Sequence, residues 1–227
     1  MAKNNNLEQD GMANVEEALT ASERFIENNQ KAIIYTVTAI VLVVLAVLAF
    51  RNFYIEPQNK AANNEIYTAQ AYFQVDSFRV ALEGDNSACI GFEAIADQYA
   101  ITKAGKLSNY YAGVCHYKLG NYEDAIKALK KFNGKDKHLS LAAQQLLGDA
   151  YVATEDLAKA IQCYNKVAQA KNSIISPMSL KKLGLAYETL GENIKAIEAY
   201  KAIKNNYPQS MEASDIEKYI ARLEQAK

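Results

Sequence analysis

An uncharged run of nineteen residues, from Ala32 to Phe50, constrains the fold of this chain more than any other feature. It reads AIIYTVTAIVLVVLAVLAF and is flanked by Lys31 and Arg51. A helix rises about 1.5 Å per residue, so this run would reach about 28 Å, close to the roughly 30 Å hydrocarbon thickness of a bilayer. A buried core helix is the alternative, but such helices are usually shorter and carry a polar stripe. The run is therefore predicted to cross a membrane.

A cleaved signal peptide is a second alternative, because Val47 and Ala49 resemble a small-x-small cleavage site. Signal peptides have a short basic segment and an apolar core of about 7–15 residues. Here the apolar run is longer, and the thirty residues before it carry six acidic side chains against Lys3 and Arg24. An uncleaved anchor is the better prediction. The chain is thereby divided into three segments, which are an N-terminal tail (1–30), a transmembrane anchor (31–54) and a larger domain (59–227).

The segments on either side of the anchor carry weaker patterns. Residues 1–14 are rich in Asn and have too few apolar side chains to offset the entropy of ordering, so they are predicted to be disordered. From Val15 onward apolar side chains recur at roughly helical spacing, which indicates an amphipathic helix leading into the anchor. An Arg, a Phe and a Tyr just after the anchor are typical of headgroup depth. Pro57 allows a bend, and a new helix is predicted over about 59–82.

The composition favours helices and excludes several classes of function. Gly (10) and Pro (3) are scarce while Ala, Lys, Glu and Leu are abundant, which is typical of an all-helical protein. The formal net charge of −1 provides no basic field for nucleic acid or for an anionic lipid surface. The three cysteines lack CxxC spacing and are predicted to be small buried side chains, with one disulfide and a free thiol as the alternative. They are Cys89, Cys115 and Cys163.

Internal repetition is the most specific signal in the larger domain. Each unit is predicted to be a pair of antiparallel helices, in which a Gly lets the second helix approach and an Ala packs into that gap. One such pair cannot bury its apolar face alone, so the units must stack. Three glycines and three alanines recur at intervals of 35 and 36 residues, and these are Gly113, Gly148, Gly184, Ala125, Ala160 and Ala196.

With its L-G-x-x-Y and A-I-x-x-Y phrases and a terminal Pro208, this spacing resembles the tetratricopeptide repeat (TPR). The resemblance covers about residues 107–208 and implies three clear helix-pair repeats. Residues 211–226 are predicted to form an amphipathic helix that covers the open end of the stack. The predicted fold class is therefore all-α, with a single N-terminal transmembrane helix followed by a TPR α-solenoid.

A degenerate opening repeat is predicted over residues 63–100. Ala88 and Phe92 lie 108 residues, or three periods of 36, before the matching Ala and Tyr of the last repeat. In this alignment Asp76 and Arg79 replace the Gly and Tyr that the repeat normally has. Such substitutions are expected in a terminal repeat, because it has a neighbour on one side only.

Side chains that could support catalysis or metal binding are not grouped in the sequence. His116 and His138 are far apart, and His116 takes a repeat position normally filled by Tyr, so it is predicted to be a packed residue. Acidic residues alternate with Lys at helical spacing, which is typical of solvated helix faces. The AGK at 104–106 lacks the rest of a phosphate-binding loop. Neither enzymatic activity nor a cofactor or metal is predicted.

The TPR resemblance implies that the first helices of the units line a groove that binds peptides or partner domains. Packing against neighbouring helices is the alternative for each groove residue. The groove lacks the paired Lys and Asn that grip a C-terminal carboxylate in some TPR proteins, so its apolar and aromatic side chains suit extended or unfolded segments. The residues at the family's groove positions are Leu107, Tyr110, Val114, Tyr117, Gln145, Asp149, Val152, Met178, Lys181, Leu185 and Glu188.

The layout of anchor and repeats, with SERFIENNQK before the anchor and the phrases NYYAGVCHYKLG and IEKYIARLE, resembles the YfgM-like bacterial membrane proteins of Bacteroidetes type. These are ancillary subunits of the SecYEG translocon. The resemblance implies a single-pass inner-membrane protein with a cytoplasmic N-terminus and a periplasmic TPR domain. Its implied partners are translocon subunits, a membrane-anchored chaperone and unfolded clients, not nucleic acid. Charge alone determines the topology poorly, with three basic residues before the anchor and two after it.

Two classes of function remain open at this point. The first is a translocon-associated scaffold or holdase that receives clients or recruits chaperones. The second is a cell-envelope adaptor that holds one specific folded partner, such as a stress-response regulator or a wall-synthesis protein. A holdase would bind many unfolded chains weakly, whereas an adaptor would bind one partner tightly.

Overall fold

The computed structural model describes residues 5–85 and 87–225, and within these ranges it describes the side chains of residue 26 and of residues from 28 onward. It divides into two compact units, Met1–Glu56 and Pro57–Lys227. All regular secondary structure in the described part of the chain is helical. The fold is thus an all-α, TPR-like helical stack together with one N-terminal apolar helix, as predicted.

The first unit consists of helix α1 (Asn5–Phe50) and a short π-helical segment, Arg51–Ile55. Disorder was the prediction for residues 1–14. Residues 1–4 lie outside the described part of the chain, and the prediction is wrong for residues 5–14, which are helical. The composition argument overlooked that a helix already formed downstream can extend at little cost, because only its nucleation is strongly unfavourable.

The apolar part of α1 is largely exposed in the described structure. Leu42 and Val43 are 61% and 62% exposed, and none of the most apolar window of the helical stretch Asn28–Gln74 is buried. By length and composition this helix could cross a membrane. At its end the rings of Phe50 and Tyr54 stack with their centroids 5.1 Å apart.

The core of the second unit is built from helix pairs. The two helices of each pair follow one another in the sequence and pack antiparallel. The first helices of successive pairs lie side by side. Asp136 and Asp156 cap two of these helices by accepting backbone N–H groups of the first turn. The three pairs are α5 (Lys103–Lys118) with α6 (Tyr122–Lys131), α7 (Lys137–Ala153) with α8 (Leu157–Gln169), and α9 (Ile175–Thr189) with α10 (Asn193–Asn206).

The gap beside each repeat glycine is filled by the side chain four residues after the repeat alanine. A Cβ added to Gly148 would lie 2.6 Å from Cε1 of Tyr164, and one added to Gly184 would lie 2.2 Å from Cε1 of Tyr200. The prediction that the alanine itself occupies this gap is therefore wrong. The repeat alanines are nevertheless fully buried, since only a small side chain fits where the two helices cross.

Helix α2 (Glu56–Gln74) ends eight residues earlier than predicted, and α3 (Phe78–Glu83) follows it as a separate helix. Asp76 has a φ of 57°. Its N–H donates to the carbonyl of Phe73, and the Ser77 N–H donates to the carbonyl of Tyr72. These two bonds form a Schellman motif, which ends a helix with one left-handed residue.

The same pair of bonds ends α5, α7 and α9, with Gly120, Glu155 and Gly191 at the left-handed position. Helices α2 and α3 are therefore the first part of the opening repeat. In this register Ala69, Tyr72 and Ala81 take the positions of the repeat Gly, Tyr and Ala, and both alanines are 0% exposed.

The predicted register of the opening repeat is wrong, because Ala88 is exposed in a loop rather than buried between helices. That loop, residues 84–90, separates α3 from α4 (Gly91–Gln98). Gly91 lies against the end of α3, where an added Cβ would be 2.3 Å from the Leu82 carbonyl oxygen. Phe92 is fully buried, but in the observed register it does not take the position of the repeat tyrosine, which follows Ala81 by four residues and is Asp85.

The C-terminal end of the stack is covered by a 3₁₀ turn (Met211–Ser214) and helix α11 (Ile216–Gln225). Ile216, Ile220 and Leu223 are buried in the same apolar cluster as Tyr200, which agrees with the predicted capping role. The three cysteines are free and buried. Burial raises the pKa of the Cys115 thiol to about 12.

Candidate functional site

The eleven predicted groove residues all lie on α5, α7 and α9, the first helices of the three clear pairs. Four of them, Tyr117, Asp149, Val152 and Leu185, line one cavity of about 290 Å³. We call this space the groove cavity. Its remaining lining residues are Leu157, Tyr164, Lys182, Ala186 and Thr189. The structure thus brings together side chains from three successive repeats.

The floor of the groove cavity is a tyrosine, a carboxylate and an ammonium in contact. Asp149 Oδ1 accepts a hydrogen bond of 2.7 Å from the Tyr164 hydroxyl. Lys182 Nζ lies 2.7 Å from Oδ1 and 2.5 Å from Oδ2 of the same carboxylate. Burial raises the pKa of Tyr164, and the adjacent Asp149 raises it further. The tyrosine is therefore a neutral donor throughout the physiological pH range.

A second arrangement of the same kind lies at the next repeat. Glu188 Oε1 accepts a hydrogen bond of 2.6 Å from the Tyr200 hydroxyl, and Oε2 pairs with Arg222 of α11. Tyr164 and Tyr200 occupy equivalent positions in their repeats. Each one fills the gap beside a glycine with its ring and reaches a groove carboxylate with its hydroxyl.

Lys181, the third charged groove residue, bonds both carboxylate oxygens of Asp215 at 2.9 Å. All three charged residues among the predicted groove positions are therefore paired within the chain. Sequence reasoning missed this because it treated each groove position separately. The sequence does contain an indication of this pairing, because each of the three charged groove residues is followed 33 or 34 residues later, at about one repeat length, by a residue of opposite charge.

Several other predicted groove residues contact neighbouring helices, which was the alternative interpretation. Gln145 accepts a hydrogen bond of 2.7 Å from Ser179 and also contacts Met178, so it links α7 to α9. The Tyr110 ring packs against Tyr111 and Phe132, each with centroids 5.6 Å apart. Leu107 is partly buried and packs against the apolar cluster of the opening repeat. Val114 is half-buried.

A separate polar cavity of about 300 Å³ lies among α4, α5 and α6 and is lined by His116 and by charged side chains. His116 is 8% exposed, as its predicted packing role requires, and its Nε2 lies 3.0 Å from Glu93 Oε1. Its Nδ1 is buried and has no hydrogen-bond partner. Among the described residues, no group of three His, Cys, Asp or Glu side chains is placed to hold a metal ion.

Residues 116–174 and 146–210 match the tetratricopeptide repeat family. This part of the chain, with its helix pairs, is therefore similar to TPR repeats, a class whose usual role is to bind other proteins. No curated protein sequence matches the chain.

Two crystal structures of nearly identical TPR-like repeats from a Podosopora anserina kinesin light chain are similar to this chain. One has a TM-score of 0.55 and 18% identity, and covers 74% of this chain and 87% of its own. The other, a variant of the same repeats in which a glutamine is replaced by methionine, has a TM-score of 0.56 with the same identity and coverage. At this identity the likeness shows the fold alone.

Proposed function

We propose that the protein is a membrane-anchored, non-enzymatic scaffold whose groove binds a segment of a partner protein. The groove cavity is the observation that carries this proposal. Val152 and Leu185 are each 42% exposed there, although the charged side chains around them are already paired. Apolar side chains left accessible on neighbouring repeats are typical of a surface that another protein covers.

The proposal includes a location, the periplasmic face of the inner membrane beside the Sec translocon. There the protein would assist or recruit chaperones for secreted proteins. The exposed apolar helix supports membrane attachment, and the resemblance to the YfgM-like proteins supports this orientation. Protease added to spheroplasts should digest the TPR domain. Full protection until the cells are lysed would contradict the proposed topology.

Photo-crosslinking in native membranes tests the function. A photoreactive amino acid at Val114, a predicted groove position three residues before Tyr117 of the groove cavity, should capture partner proteins that mass spectrometry then identifies. The same amino acid at Ile194 is the matched control, since that side chain is 63% exposed on α10 and lies outside the groove cavity. Equal capture from both positions would contradict binding by the groove.

The identity of the captured proteins separates the two classes of function. Translocon subunits, a membrane-anchored chaperone or many different secreted chains would support the translocon scaffold. A single folded partner captured in constant proportion would instead support the adaptor.

A further inference from the structure

The groove cavity has the size of one large side chain. Its volume of about 290 Å³ lies at the lower end of the roughly 300–1,000 Å³ that small-molecule pockets span. Tyr117, Val152, Leu157 and Leu185 supply apolar surface around it, while the Asp149 carboxylate and the Lys182 ammonium form its polar floor. An occupant must therefore combine an apolar body with a small polar tip.

The floor disfavours a charged occupant of either sign. Asp149 and Lys182 have side chains that are only 18% and 30% exposed, and each is the partner of the other. A cation entering the cavity would meet Lys182, and an anion would meet Asp149. Either one would be attracted by one member of the pair and repelled by the other at a similar distance, so its charge would gain little to offset its loss of hydration.

A neutral donor does not meet this obstacle. Asp149 Oδ1 accepts from both Tyr164 and Lys182, whereas Oδ2 accepts from Lys182. A carboxylate oxygen has room for about two hydrogen bonds, so Oδ2 can take a further N–H or O–H without displacing Lys182. Trp and Tyr are the side chains that carry such a donor on a large apolar ring.

We infer that the groove cavity binds one Trp or Tyr side chain from an extended, uncharged segment of a partner protein, with its N–H or O–H donating to Asp149. This inference rests on the proposed function and specifies the chemistry of the partner. Buried aromatic anchors commonly supply most of the affinity of an interface.

The absence of Trp from the sequence gives a direct assay. The full chain in lipid nanodiscs is titrated into a capped, uncharged nonapeptide of Gly, Ser and Thr with one central Trp. The Trp emission should shift to shorter wavelength and saturate, whereas empty nanodiscs should cause no such change. Matched peptides with Tyr, Leu, Lys or Glu at the centre are then used as competitors. We expect Tyr to compete best, Leu weakly, and Lys and Glu not at all.

Variants locate the binding. Leu185→Ala and, independently, Val152→Ala should weaken binding of the Trp peptide roughly 5- to 30-fold. Ile194→Ala removes an exposed apolar side chain outside the cavity and should bind as the wild type does. Circular dichroism verifies that each variant is folded.

Three results would overturn the inference. They are no saturable binding of the Trp peptide, competition by the Lys or Glu peptide as strong as that by Tyr, and folded Leu185→Ala and Val152→Ala variants with undiminished affinity. If the Val114 crosslinker still captures partners in that case, the proposed function stands without this inference. If the Trp peptide binds but nothing is captured, the proposed function fails instead.

Discussion

Replacing Gly184 with Ala is expected to destabilise the last repeat, because the Tyr200 ring occupies the space beside that glycine. The added Cβ would lie 2.2 Å from Cε1 and 2.6 Å from Cζ of this ring. The ring has little freedom to move, since Tyr200 is 0% exposed and its hydroxyl donates to Glu188. Tyr219 packs against it with centroids 5.3 Å apart.

Two opposing effects set the size of this destabilisation. Ala in place of Gly inside a helix is favourable by about 1 kcal/mol. Overpacking a buried site costs about 1–3 kcal/mol, and a contact as short as 2.2 Å puts Gly184→Ala near the upper end of that range. The expected net loss is about 2 kcal/mol. For a domain of this size that corresponds to a drop in Tm of roughly 4–8 °C.

Thermal unfolding of the full chain in mild detergent, followed by circular dichroism at about 222 nm, measures this loss. Gly113→Ala is the matched control. Its added Cβ would meet the Leu129 side chain at 2.6 Å, and an aliphatic side chain can change rotamer where a hydrogen-bonded ring cannot. The drop in Tm should therefore be clearly smaller for Gly113→Ala. A Gly184→Ala variant as stable as the wild type would refute the reasoning, because the Tyr200 ring would then not limit how closely the helices approach.

Three further predictions concern packing, binding and pH. Ala196→Leu should lower the free energy of unfolding by about 1–3 kcal/mol, and an unchanged urea midpoint would contradict the repeat alignment. Changing Tyr110 and Tyr117 together to Ala should weaken partner binding by about 2–4 kcal/mol, or roughly 30- to 1,000-fold, and undiminished binding by a folded double variant would place the binding surface elsewhere. Hydrogen bonds from backbone N–H groups, of which that of Cys89 has the largest effect, hold the pKa of Asp85 well below its usual range. The ionised Asp85 carboxylate therefore stabilises the fold fully above its unfolded pKa of about 3.9, and this contribution is lost as the pH falls from there toward the lower folded pKa. The acid-induced drop in Tm should accordingly be smaller in Asp85→Asn.

The three clear helix pairs could be predicted because the residues that set their packing recur at fixed intervals. A Gly, an Ala and a Tyr in each of the last two repeats belong to one contact between two helices. A change in their spacing would separate the Tyr200 ring from the gap at Gly184, for example. The sequence period therefore reports the three-dimensional repeat directly.

The opening repeat could not be predicted by the same period, because the loop at 84–90 lengthens it. Ala81 lies 115 residues before Ala196, so three periods of 36 counted back from Ala196 reach Ala88 instead. The local spacing within the repeat does indicate the correct register, because Ala69 precedes Tyr72 by three residues, as Gly148 precedes Tyr151. The Schellman motif at Asp76 was also indicated, since an acidic residue takes the same left-handed position at Glu155.

The helices that carry the predicted groove positions could be predicted, but the pairing of the charged residues among them could not, because their partners lie about one repeat length away. Asp149 pairs with Lys182, which joins α7 to α9. Lys181 pairs with Asp215, between the 3₁₀ turn and α11, and Glu188 pairs with Arg222 of α11. These ion pairs connect successive elements of the stack. A charged partner that replaced one member of such a pair would have to break a contact between successive elements. In the proposed mode of binding, the apolar side chains of the groove select the partner, while its charged side chains connect successive elements of the stack.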